Sequence, residues 1–263
     1  MLLNEIVART KQLLEQRKGD TPIAVIERAA SDQAATRDFA GALRGEGISL
    51  IAEVKRASPS RGPLRLDLDA ASLARVYREA GAAAISVLTE PEYFLGSLDD
   101  LKAVRAQVDI PVLRKDFVID PYQVYEARAF GADAVLLIVN ILTENELKAL
   151  LETVHGAGMT ALVEVHTQDE LMKAWDLSPK VIGINNRNLM DFSVDLQTTL
   201  DLRLLVPSDV VVVSESGIHS RDDVLKLQEG GVDAMLVGES LVTSPDPASK
   251  IGELLGSPRA GSA

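Results

Sequence analysis

Two charged residues sit where a buried strand would carry none. In "IAEVKRASPSRG", residues 51 to 62, Glu53 and Lys55 are two positions apart and point the same way on an extended chain. A carboxylate beside an ammonium can move protons or hold an anion. Similar residues recur downstream: Lys115 in "PVLRKDF" (111–117), Glu164 in "TALVEVH" (160–166), Asn185 and Arg187 at the end of "VIGINN" (181–186) and just past it, and Glu215 in "VVVVSES" (210–216). One such residue at a strand end is ordinarily a solvated terminus or a structural ion pair. Two lysines and two glutamates on one rim point to acid–base chemistry, because burying that cluster without function costs desolvation energy.

Alternation along a strand gives direction. Leu113, Lys115 and Phe117 share one face, opposite Arg114 and Asp116, and Leu162 shares a face with Glu164. Facing inward, they converge with Glu53 and Lys55 on one mouth. The direction of Glu215 stays open, since Ser214 and Ser216 compete with it. "SESGI" and "LVGES" set Gly217 and Gly238 where the backbone can approach an anion ahead of a helix, and Lys55 adds positive charge, so phosphate is the expected group. His155, His166 and Trp175 read as structural.

These positions need elements to hold them. Eight short β-branched runs, 49–55, 83–89, 111–117, 133–139, 160–166, 181–186, 210–216 and 234–239, alternate with helical segments such as "DAASLARVYREAGA" and "SRDDVLKLQEGGVDA". That arithmetic predicts an α/β protein, a (β/α)8 TIM barrel over 48–255, whose site lies at the C-terminal ends of the strands. An open doubly wound sheet would show a glycine-rich turn after its first strand, and "RASPSRG" is not one. Residues 1–47 read as an extension packed on the barrel, helical over 2–17 and about 34–44, and residues 256–263 as a flexible tail. The polar stretch "RASPSRGPLRLD" after strand one is expected to form a mobile lid.

Composition narrows the classes. A net charge of −12 argues against nucleic-acid or anionic-membrane surfaces. With no cysteine and only three histidines at unrelated positions, no metal site is expected. The opening lacks a secretory-leader pattern and no run approaches ~18 apolar residues. A cytoplasmic protein without cofactor is expected, with a monomer as a plausible state.

In order along residues 45 to 248, "EVKRASPSRG", "AAAISVLTE", "FLGSLDDL", "VLRKDFVID", "YEARAFGADAVLLI", "LVEVH", "IGINNRNL", "VSESGI" and "LVGESLV" resemble the indole-3-glycerol phosphate synthase family. The resemblance implies closure of 1-(2-carboxyphenylamino)-1-deoxyribulose 5-phosphate into an indole with loss of CO2 and water. It implies Lys115 as general acid, with Glu53, Lys55 and Glu164 completing the catalytic set. Phe117, Asn185, Arg187, Glu215 and Ser216 become substrate contacts, and Ser58 lies near the substrate carboxylate. Gly217, Gly238, Glu239 and Ser240 form the phosphate cradle. The chemistry itself asks for an acid at the ketone oxygen, an acid for the departing hydroxyl and a base for a ring proton. Phosphoribosylanthranilate isomerase, a rival on the same fold, implies a cysteine base that this chain lacks, and a non-catalytic metabolite-binding barrel would be expected to lose Lys115 or Glu164.

Overall fold

A computed structural model describes residues 2–188 and 192–256. The predicted runs become β1 (Ser49–Val54), β2 (Ala84–Leu88), β3 (Val112–Lys115), β4 (Ala134–Ile138), β5 (Thr160–Val165), β6 (Val181–Asn185), β7 (Val211–Glu215) and β8 (Ala234–Val237). All pair in parallel, and β1 bonds to both β2 and β8, closing the barrel. Strands buried on both faces are what continuous Val/Ile/Leu runs produce.

Inside the ring, Ile51, Leu113, Leu162, Val181, Val211 and Leu236 pack together. Outside it, the apolar stripes of the surrounding helices form a second, larger core. The loops between strands and helices are fixed by side-chain caps, such as Asp120 accepting from Tyr122 N at 2.8 Å and the reciprocal Thr143/Glu146 pair.

The leading segment departs from expectation. It holds three helices, α1 (Leu2–Asp20), α2 (Ile23–Ser31) and α3 (Phe39–Ala42). The helix expected over 34–44 shrinks to α3 because tertiary bonds claim its backbone: Arg37 N donates to Asp133 Oδ1 at 2.8 Å, and Asp38 caps Gly41 N at 2.9 Å. Phe39 and Leu43, both fully buried, join the interior cluster and floor the barrel. Helix α2, opened by Pro22, was hidden in "TPIAVIERAAS"; it packs on α6 (Pro121–Ala129).

The "RASPSRGPLRLD" stretch is tied at several points. Ala57–Ser58 pairs antiparallel with Gly62–Pro63, and Arg56 grips both oxygens of Asp100 at 2.6 and 2.9 Å. Arg61 reaches Glu239 at 2.9 Å across the mouth. Of the expected tail, residues 257–263 lie outside the described residues.

Candidate active site

Every residue singled out for chemistry lines one cavity at the C-terminal mouth of the barrel. Strand pleat turns Glu53, Lys115, Glu164 and Asn185 inward from β1, β3, β5 and β6, while their neighbours Arg114 and Asn186 face the helices. Lys55 follows β1 on the same parity, its Nζ 2.8 Å from Glu53 Oε1.

The open question at β7 has a clear answer. Glu215 faces inward, and Ser214 faces out, bonded to Asn186 at 3.0 Å and Thr199 at 2.9 Å. Lys115 Nζ lies between two carboxylates, 3.2 Å from Glu164 Oε2 and 3.0 Å from Glu215 Oε2. Both glutamates are almost wholly buried.

Charge follows from this packing. Burial alone would lower the Lys115 ammonium, but Glu215, Glu164 and Glu53 outweigh it and hold the lysine protonated well above the ordinary range. Burial also opposes the charge on Glu164, yet Lys115 and His166 keep this carboxyl below its ordinary value. Burial, with the repulsion of Glu164 and Glu53, pushes Glu215 up to about 7 despite Lys115. Neighbouring carboxylates driven apart in this way are suited to different proton states.

The polar rim is equally organised. Ser58 Oγ is buried without a hydrogen-bond partner, a deficit that a ligand oxygen would relieve. Asn185 Oδ1 accepts from Ser216 Oγ at 2.9 Å and from Arg187 N at 3.1 Å, linking loops six and seven. Ser216 (φ 67°) and Gly217 (φ 83°) are both left-handed, which bends loop seven over the cavity. Gly238 precedes the short α11 (Glu239–Val242), and Ser240 Oγ bonds Ile218 O at 3.3 Å, joining loops seven and eight.

Gly238 has a further duty: a Cβ there would fall 2.5 Å from Glu53 Oε1. A Cβ at Gly183 would likewise fall 2.3 Å from Glu215 Oε1. The two glycines make room for the carboxylates of Glu53 and Glu215.

Apart from Phe117, an apolar wall went unread in the sequence. Leu2, Leu3 and Ile6 of α1 line the cavity with Phe94 and Phe117, whose ring centroids lie 6.1 Å apart, and with Phe192. The helical spacing of Leu2, Leu3 and Ile6 was visible, but it spoke only of packing. Such walls suit a flat aromatic ligand. Among the described residues, no acidic or histidine cluster suited to a metal occurs, and no helix is long and apolar enough to cross a membrane.

Known proteins share this fold and this sequence pattern. A structure of 3-hexulose-6-phosphate synthase shares the fold at TM-score 0.63, covering 80% of this chain and 99% of that chain with 16% identity. An indole-3-glycerol phosphate synthase of Dehalococcoides mccartyi (strain CBDB1) is 49% identical over 259 residues, 97% of this chain and 100% of that protein. A protein of the same name from Roseiflexus sp. (strain RS-1) is 49% identical over 264 residues, 97% of this chain and 98% of its own length. The family model described as "Indole-3-glycerol phosphate synthase" matches residues 3–254, and the chain belongs to that family.

Proposed function

We propose that Lys115 is the general acid in the conversion of 1-(2-carboxyphenylamino)-1-deoxyribulose 5-phosphate to indole-3-glycerol phosphate. The chain is a decarboxylating, ring-closing lyase of tryptophan biosynthesis, acting on a phosphorylated small molecule. The observation that carries the assignment of Lys115 is its Nζ, held 3.2 and 3.0 Å from Glu164 and Glu215 inside an apolar-walled mouth.

Ring closure joins the arene carbon bearing the carboxylate to the ketone carbon. The ketone oxygen gains alkoxide character, and Lys115 stabilises it and gives it a proton. The bond to the carboxylate then breaks, CO2 leaves, and its electron pair restores the aromatic ring. Dehydration removes the new hydroxyl as water, with Lys55 as the acid and Glu164 taking a proton from the former methylene carbon. Glu53, 2.8 Å from Lys55, orients that lysine. Two protons are taken up and one released, so the reaction consumes one proton overall. No step is a redox step, and none calls for a metal or organic cofactor.

At the substrate's other end, the Gly217 and Gly238 loops and the backbone of Glu239 and Ser240 cradle the phosphate, with Lys55 nearby. Ser58 receives the carboxylate. Phe117, with Phe94, stacks near the aromatic ring, and Asn185, Arg187, Glu215 and Ser216 complete the contacts.

The test is indole fluorescence after supplying the substrate. Lys115→Ala is expected to lose at least ~100-fold in kcat, the usual minimum for a positioned acid. Normal turnover by this variant would remove Lys115 from the mechanism.

A further inference from the structure

Behind Glu164 stands His166, which read as a structural residue from the sequence. His166 follows β5 on the parity of Glu164, and its Nε2 lies 3.5 Å from Glu164 Oε1. Lys115 holds the other oxygen, Oε2, at 3.2 Å. The Glu164 carboxylate therefore lies between two nitrogen groups, one facing each oxygen.

The imidazole is itself fixed from behind. Glu170, on α8 (Gln168–Trp175), approaches His166 Nδ1 at 3.2 Å and accepts the backbone N–H of His166 at 2.7 Å. Asn140, from the turn after β4, donates to the second Glu170 oxygen at 2.6 Å. An ionised Glu170 is an acceptor only, so it sets the proton on Nδ1 and leaves Nε2 aimed at Glu164. His166 Nε2 is buried and has no hydrogen bond of its own.

We infer that His166 is a positioning residue for the reaction: braced by Glu170 and Asn140, it keeps the Glu164 carboxylate charged and aimed at Lys115 and the substrate. This rests on reading Glu164 as the dehydration base.

The charges facing the ring support it. Glu164 comes from β5, Glu170 from α8 and Glu215 from β7, while Lys115 of β3 pairs with the other oxygen of Glu164. Burial lowers the imidazole's affinity for a proton, but Glu170, Glu164 and Glu215 outweigh it and raise the pKa. His166 is thus positioned to be a second cation for Glu164. Removing it raises the pH at which Glu164 ionises. A base is lost as pH falls through its own pKa, so the acid limb of kcat moves to higher pH.

The experiment compares His166→Asn, Glu170→Gln, Glu164→Gln and the His166→Asn/Glu164→Gln double variant in the fluorescence assay across pH. His166→Asn is expected to lower kcat at least ~10-fold with KM within ~2-fold, and to shift the acid limb upward. Glu170→Gln, outside the cavity lining, should shift the limb the same way. In the Glu164→Gln background the His166 change should have no further effect. If Glu164→Gln keeps normal kcat, the general-base reading fails. If Glu164→Gln is crippled but His166→Asn leaves kcat and its acid limb unchanged, or adds its full loss to the double variant, the positioning role is overturned. Circular dichroism and Tm of each variant show whether any loss reflects unfolding.

Discussion

Glu164 and Glu215 touch the same ammonium yet are driven in opposite directions. Glu164 has His166 and Asn185 as further support, whereas Glu215 faces the negative charges of Glu164 and Glu53, which together with burial outweigh Lys115. The folded Glu215 carboxyl, near 7, lies above its unfolded value of roughly 4.3. The folded chain therefore holds an extra proton between those values, and stability falls as pH rises through that window. Glu215→Gln is expected to match the parent Tm near pH 4 and exceed it increasingly up to pH 8, while kcat falls. A Tm difference constant across this range would refute the buried-carboxyl account. Among single residues, Glu53, Lys55, Lys115 and Glu164 were readable because strand alternation is strict. The direction of Glu215 was not, since Ser214 and Ser216 blur the alternation, and His166 owes its placement to Glu170, which the strand-to-helix corner brings back to it.

The elements explain how β3 presents Lys115 so firmly. Its outward neighbour Arg114, wholly buried, donates to Asp116 at 2.8 Å and Gln123 O at 2.7 Å and lies 3.0 Å from Glu126. Asp116 Oδ1 accepts Phe117 N at 2.8 Å, and Arg17 of α1 meets Glu126 at 2.9 Å. One ionic network thus joins α1, β3 and α6 directly behind Lys115 and Phe117. Arg114→Leu would leave Asp116 without its ion-pair partner and Glu126 with the partly exposed Arg17, and we expect a loss of about 3–5 kcal/mol in urea unfolding, with reduced kcat. An unchanged midpoint would mean the network contributes no stability. The barrel helices were predictable from amphipathic periodicity and caps. Helix α2 was not, because its nine residues expose Ile23 and Val25 and so blur the stripe, and over 34–44 tertiary contacts override good helix formers.

For the molecule as a whole, eight apolar runs were enough to count the barrel, because a closed parallel sheet repeats one unit. Its floor was beyond such counting: Phe39 and Leu43 gain their meaning only from strands far along the chain. Phe39→Ala is expected to cost about 3–5 kcal/mol in urea unfolding while KM is nearly unchanged, since the floor lies opposite the mouth. A comparable rise in KM would show that floor and mouth are coupled. That floor also imposes an order on biogenesis. Phe39 and Leu43 leave the ribosome before any strand, but their cluster includes Val211, Ala234 and Leu236, and β1 cannot pair with β8 until Ala234 is made. Roughly 200 residues at ~5–20 residues per second leave these side chains without their final burial for on the order of 10–40 s. The stretch that seals the finished enzyme is therefore a long-lived sticky surface during synthesis, and a place where a chaperone would have work to do.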